Sequence, residues 1–375
     1  MKLKNTEVDM NVPLMNISAC FDDLYPEIMS KIETMIKNTE FIGGPEVAEF
    51  EKEYAAFCGT KYAVGAANGT DAIIIALKAM GIGRGDIVLV PANSFIATSE
   101  AVTAVGASVR FIDVEDKYYT ISPAEIEKYI ASHPDEKIRG VIPVHLYGQM
   151  ADMPAIMRIA EKHGLSVIED AAQAQGSRLN GKGPGVYGHA ATFSFYPGKN
   201  LGAFGDAGGI VTNNENLYLT MKKLVNHGRI SGKYEHELEG FNMRLDSIQA
   251  AVLRIKLRHL EKWNGRRKVI ASDYARALSG KNVILPETRD GADPVWYVYT
   301  IRVSDRDAVK KNLGGNGVAT GIYYPIPLHL QPAYGYLGHK KGDFPVAEKH
   351  ASEILSLPMW PEMTDDMVAY VCSLL

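Results

Sequence analysis

Apolar positions recur with two different periods along this chain, and the switches between them outline a fold. A helical period runs over Tyr25–Lys37. A second helix follows, with Pro45 placed to open it and Gly59 to close it. From Lys61 to about Val211, short apolar runs alternate with helical stretches. KYAVGAANG, DIVLVPA, SVRFIDV, RGVIPVHLYG, GLSVIED, AATFSFYP and GGIVTNN read as strands. TDAIIIALKAMGI, SEAVTAVGA and MPAIMRIAEKHG read as helices, the last stopped by Gly164. Nearly continuous apolar strands separated by helices predict an α/β domain with a mostly parallel seven-stranded sheet covered by helices.

After Asp246 the texture changes. SIQAAVLRIKLRHLEKWNGRRKVIASDYARAL is one long helical stretch of mixed charge. WYVYTIRV alternates as a strand, and DRDAVKKNLGGNG is a short helix with a stop. A smaller C-terminal α+β domain is expected, giving units of 1–255 and 256–375 joined by a helix rather than a flexible linker. The polar first ten or so residues read as a poorly ordered lead-in.

Composition narrows the function. The chain has 375 residues, 46% hydrophobic and 22% charged, with a formal net charge of -4. That is the balance of a soluble globular protein without the basic footprint of a nucleic-acid binder. No apolar run is long enough for a membrane span or a signal peptide. Cys20, Cys58 and Cys372 are too few and too widely spaced for a disulfide framework or a zinc site. A cytoplasmic enzyme with a small-molecule substrate, using no metal, is the expectation.

Candidate chemistry centres on two residues. Lys199 sits in FSFYPGKNLGAFGDAGG, among aromatic residues and glycines that allow close backbone approach. A surface loop lysine is the bland alternative; a partly buried one loses proton affinity and becomes a nucleophile. Asp170 closes the strand-like GLSVIED, where ligands of parallel sheets sit, although it could equally cap the following helix. Glu169 then reads as the outward-facing neighbour. A lysine able to form a Schiff base and a carboxylate able to hold a pyridinium nitrogen are what pyridoxal phosphate chemistry requires. Gly69 and Thr70 stand where a strand gives way to a helix, a phosphate-binding position that by itself reads first as an ordinary turn. Ser194 is a second candidate phosphate donor.

The blocks ANGTDA, NSFIATSEAV, VHLYGQMADM, VIEDAAQAQGS, FSFYPGKNLGAFGDAGGIVTN, GFNMRLDSIQAA, YYPIPLHLQP and LSLPMWPEM occur in this order over roughly residues 12 to 372. Together they resemble the DegT/DnrJ-type sugar aminotransferases, which are fold type I pyridoxal phosphate enzymes. The resemblance implies that Lys199 binds the cofactor covalently and shuttles protons. It implies that Asp170 pairs with the pyridine nitrogen, Gln173 contacts the phenolic oxygen, and Phe95 stacks on the ring unless it is plain core. Gly69, Thr70 and Ser194 match the phosphate cradle. Asn242 matches an asparagine supplied by the neighbouring subunit, which implies a homodimer with shared active sites. Tyr323, Tyr324 and His329 match a segment near the nucleotide-sugar, although YYP also reads as a turn and His329 as a structural histidine. His227, Arg229 and Arg244 are further substrate candidates. The sequence departs from the family at Asn68, often serine, and in GDAGG, where a second acidic or glycine residue is common after the first aspartate.

The implied reaction moves an amino group from L-glutamate to a nucleotide-linked keto-sugar. The blocks lean towards C3 amination of a dTDP-linked 3-keto-6-deoxyhexose; C4-acting, UDP-linked and GDP-linked relatives remain alternatives. A sugar dehydratase ranks lower, because that branch replaces the lysine and adds an iron–sulfur site that three scattered cysteines cannot supply. A non-catalytic regulatory relative would have no need for Lys199, Asp170 and the phosphate cradle together.

Overall fold

The structure is a computed structural model that describes residues 10–229, 232 and 234–375. The polar lead-in, residues 1–9, lies outside them. Helices α1 (Tyr25–Asn38) and α2 (Pro45–Cys58) come first, and Gly59 caps α2 in the left-handed conformation. The sheet region then runs β1 (Tyr62–Ala66), α3 (Gly69–Ala79), β2 (Ile87–Pro91), α4 (Ala97–Ala104), β3 (Ser108–Ile112), α5 (Pro123–Ser132) and β4 (Ile138–Val141). It continues with α6 (Met153–His163), β5 (Ser166–Asp170), a two-residue β6 (Arg178–Leu179), β7 (Ala190–Ser194), β8 (Gly208–Thr212) and α7 (Glu215–Leu224).

All seven predicted strands enter one sheet, in the order β1-β8-β7-β5-β4-β2-β3. Only β8 runs against its neighbours, pairing antiparallel with both β1 and β7. A parallel return requires a crossover element, and residues 195–207 between β7 and β8 contain no helix. The chain therefore turns straight back, and the loop so created carries Lys199. Helices α5 and α7 escape the sequence reading. Of RGVIPVHLYG only Arg139–Val141 belongs to a strand, the end of β4, since Pro143 cannot extend the ladder as a donor.

Both sheet faces are covered. Ile73, Ile75 and Leu77 of α3 pack on Val64, Val90, Ile168 and Ile210. On the other face, Ile126 of α5 and Ile156 of α6 pack on Leu89, Val141 and Val167. Phe50 and Tyr54 of α2 meet Phe193, Phe195 and Val211.

The C-terminal unit follows as α8 (Ser247–Leu278), β9 (Ala292–Asp293), β10 (Tyr299–Arg302), α9 (Arg306–Gly315), α10 (Pro345–Glu353), β11 (Ile354–Leu357) and α11 (Asp365–Ser373). Helix α8 changes partners along its length. Ala250, Leu253 and Leu260 belong to the core against the large sheet, whereas Ile270, Tyr274 and Leu278 pack with β10, β11 and α11. We propose that the two units divide within α8. Val12 lies in the C-terminal core and bonds to Gly317 and Ala319, so the chain's first described residues pack with its last unit.

Candidate active site

Loops at the carboxyl ends of β1, β2, β5 and β7 converge on a cavity of about 540 Å³. Two glycines let them meet. A Cβ on Gly69 would lie 2.8 Å from the Ser194 Cβ, and one on Gly208 would lie 2.2 Å from the Asn68 carbonyl oxygen. Helix α3 can therefore start directly against β7 and β8. Asn68 caps it, its Oδ1 accepting from the Asp71 amide at 2.8 Å. The amides of Gly69 and Thr70, in the first turn, have no intrahelical acceptor. Together with the Thr70 and Ser194 hydroxyls lining the same wall, they form an anion cradle.

Asp170, at the end of β5, faces this cavity. Its Oδ2 accepts from Thr98 Oγ1 at 2.7 Å and its Oδ1 from the Ala172 amide at 3.1 Å. Thr98 is fully buried and lies 2.7 Å from the Ser94 hydroxyl. Gln173 bridges two tyrosines: its Oε1 accepts from the Tyr147 amide at 2.7 Å and its Nε2 donates to the Tyr324 hydroxyl at 3.2 Å. Phe95 exposes 55% of its surface on the cavity wall, with its ring centroid 5.8 Å from that of Tyr324. Burial holds the Tyr324 phenol well above its ordinary pKa.

Lys199 lines the cavity with its Nζ 4.5 Å from the Tyr297 ring centroid. Burial lowers its pKa to about 8, against the opposing pull of the Asp170 charge. A substantial fraction of the amine is thus neutral near pH 8. Asp71 and Asp206 also line the cavity. The Asp71 carboxyl is raised by burial, with the Asn68 hydrogen bond opposing and the Asp206 charge adding to the shift.

The structure thus gathers Lys199, Asp170, Gly69, Thr70, Ser194, Phe95, Gln173, Tyr323 and Tyr324 around one cavity. Other candidates lie elsewhere in the chain. His329 is 2% exposed, 3.0 Å from Glu348 and against the Phe344 ring, where burial lowers its pKa; it braces the fold rather than lining the cavity. Asn242 and His227 are exposed on adjoining segments, linked by the Asn226–Asn242 bridge and by the His227 amide to the Phe241 carbonyl. Arg244 donates to Asn226 at 3.0 Å, and it lines a second cavity of about 220 Å³ with Arg229 and Lys222.

Glu169 corrects the expectation of an outward-facing residue. It is fully buried, because β5 is covered on both faces. Its Oε1 accepts from the Gly185 and Gly188 amides at 2.9 and 2.7 Å, and its Oε2 faces His145 Nε2 at 2.7 Å. The Ala151 amide donates to His145 Nδ1, which places the ring hydrogen on Nε2, pointing at Glu169.

Ser94, Thr98, Tyr147 and Tyr297 escaped the sequence reading. The usable signal was two hydroxyls four residues apart, just past a parallel strand's carboxyl end, which places them on one side of the following turn.

Pyridoxal phosphate fits this donor set. The cradle suits a phosphate, Phe95 offers a ring face, Asp170 accepts from a ring nitrogen, and Lys199 presents a partly neutral amine. The comparisons agree. The chain matches the DegT/DnrJ/EryC1/StrS aminotransferase family over residues 22–375 and belongs to it. It is 42% identical to the dTDP-3-amino-3,4,6-trideoxy-alpha-D-glucose transaminase of Streptomyces venezuelae, covering 94% of this chain and 92% of the relative. It is 43% identical to the UDP-N-acetyl-3-dehydro-alpha-D-glucosamine 3-aminotransferase of Acidithiobacillus ferrooxidans, covering 97% of both. It is also 45% identical to a protein of Geobacillus stearothermophilus named a pleiotropic regulatory protein, covering 96% and 97%. The crystal structure of DesV from S. venezuelae superposes with a TM-score of 0.94 at 42% identity, covering 97% of each chain. The protein is a fold type I, pyridoxal phosphate-dependent sugar aminotransferase.

Proposed function

We propose that the protein transfers the amino group of L-glutamate to C3 of a nucleotide-linked 3-keto-sugar, with a dTDP-linked 3-keto-6-deoxyhexose as the leading substrate. One observation carries the chemistry: a lysine with its pKa lowered to about 8 shares a cavity with a hydrogen-bonded aspartate, beside a helix N-terminus lined with hydroxyls. The C3 position is supported by two relatives whose names specify amination there. The UDP-linked relative supports a second reading, in which the nucleotide is UDP.

Bound pyridoxal phosphate supplies an electron sink that makes a substrate Cα–H bond acidic. Lys199 holds the cofactor between turnovers. Displaced by the incoming donor amine, its Nζ would be free to take the donor's Cα proton and, on the sugar, to deliver a proton to the aminated carbon. Asp170 would accept a hydrogen bond from the ring nitrogen, an electrostatic contribution. Gly69, Thr70 and Ser194 would anchor the phosphate, Phe95 and Gln173 would orient the ring, and Tyr323 and Tyr324 would border the space left for the sugar.

Asn242, His227, Arg229 and Arg244 sit on adjoining segments and do not line this chain's own cavity, which supports a role for them in a neighbouring subunit's site within a homodimer. Asn242→Ala should then weaken cofactor retention several-fold, by the loss of about one hydrogen bond. A monomer with full activity would end the shared-site proposal. Among the described residues no helix is long and apolar enough to cross a membrane. The buried, unpaired thiols of Cys58 and Cys372 suit a cytoplasmic setting.

The deciding experiment is a visible spectrum of the purified protein with L-glutamate, followed by mass analysis after adding dTDP- and UDP-linked 3-keto and 4-keto sugars. A cofactor band that bleaches on glutamate, and a 3-amino product, are expected. A band that ignores glutamate overturns the donor; amination only of 4-keto sugars overturns the position.

A further inference from the structure

We infer that Thr98, held in turn by Ser94, is a positioning residue that fixes the orientation of the Asp170 carboxylate towards the cavity and so sets its contact with the ring nitrogen that bound pyridoxal phosphate would present to it. The inference rests on the proposed role of Asp170. Ser94 lies in the turn between β2 and α4, Thr98 lies in the first turn of α4, and they are 4% and 0% exposed, so their hydroxyls must find partners inside the protein. Thr98 Oγ1 lies 2.7 Å from Asp170 Oδ2 and 2.7 Å from Ser94 Oγ.

An ionised carboxylate only accepts hydrogen bonds. The Thr98 hydrogen is therefore committed to Asp170, and the Thr98 oxygen takes the hydrogen of Ser94. The chain has one direction, ending on the carboxylate. The Ala172 amide holds the second oxygen at 3.1 Å. Two donors, one per oxygen, fix the carboxylate's rotation, and no cation competes for its outer lone pairs in the hydrogen bonds described. A carboxylate fixed in this orientation presents an acceptor to the ring nitrogen that bound pyridoxal phosphate would place there. Without Thr98 the carboxylate keeps only the Ala172 donor, and the ring nitrogen would face a less firmly held acceptor.

The test reconstitutes the full chain with pyridoxal phosphate labelled with ¹⁵N in the ring. It reads the nitrogen chemical shift and the cofactor dissociation constant in wild type, Thr98→Val, Thr98→Ser, Ser94→Ala and Asp170→Asn. Thr98→Val should move the shift towards the unprotonated position and weaken cofactor binding about tenfold, the loss of one hydrogen bond to a charged group. Thr98→Ser should keep wild-type values. Ser94→Ala should move the shift the same way by less. A Thr98→Val protein with wild-type shift and affinity, beside an Asp170→Asn protein that has lost both, overturns the role of Thr98 alone. If Asp170→Asn also matches wild type, the reading of Asp170 falls and this inference falls with it. Should Thr98→Val not fold, Ser94→Ala decides, and an unmoved ring-nitrogen shift overturns the inference.

Discussion

Glu169 and Asp170 are consecutive residues of β5 carrying the same chemical group, and the protein uses them in opposite ways. Glu169 points into the packed side of the sheet, where two backbone amides and His145 fill its oxygens. Asp170 points the other way, into the cavity, with one donor on each oxygen in the hydrogen bonds described. A buried carboxylate with its acceptor sites filled braces structure. One held in orientation but left with open lone pairs towards a cavity can bind. Which is which follows from the alternation of a strand across a sheet covered on both faces.

Four expected outcomes sharpen or break this contrast. Lys199→Ala, in the cavity shared with Asp170, should cut turnover by a factor of about 1,000 or more, because the proposed covalent binding and proton transfer both depend on it. Steady-state rates on the keto-sugar check this, and retained turnover removes Lys199 from the chemistry. Asp170→Asn should lower the donor half-reaction about 100-fold with little change in melting temperature, as expected when an electrostatic contact is lost from a preformed site. Stopped-flow bleaching with glutamate measures it.

Glu169→Gln should do the reverse. It should destabilise the fold by about 1–3 kcal/mol, because an amide NH₂ would then face backbone donors, and leave the rate per folded molecule intact. Urea unfolding beside active-site titration separates the two effects. Equal losses of rate from Asp170→Asn and Glu169→Gln would erase the distinction drawn above. The smallest effect concerns pH. Burial lowers the Lys199 pKa to about 8, so its free-amine fraction should fall about tenfold per unit below pH 8 and level off above it. Reductive methylation of Lys199 in the cofactor-free protein, followed by mass spectrometry, should show that profile. A midpoint near 10 would mean that the side chain is solvated.

Much of this was legible in the chain. The seven strands were marked by short apolar runs bounded by turn residues, and Lys199, Asp170 and the glycine-threonine turn stood out by their positions at strand ends. Other features carried no local mark. Thr98 is one hydroxyl among several in NSFIATSEAV, and its importance lies in a 2.7 Å contact with a residue 72 positions away. His329 sits in a motif associated with the substrate, yet folds inward onto Glu348.

By itself the sequence determined the α/β class, the order of strands along the chain, the long helix α8, and the residue types needed for a pyridoxal phosphate site, because periodicity and turn chemistry are local properties. The tertiary structure decided the rest. It set the antiparallel direction of β8 and hence the loop that presents Lys199. It set the burial that lowers the lysine's pKa, the opposite fates of Glu169 and Asp170, and a cavity lining that leaves out Asn242 and Arg244. Each of these depends on contacts between residues far apart in sequence, and desolvation, close approach and hydrogen-bond direction exist only once those residues are brought together.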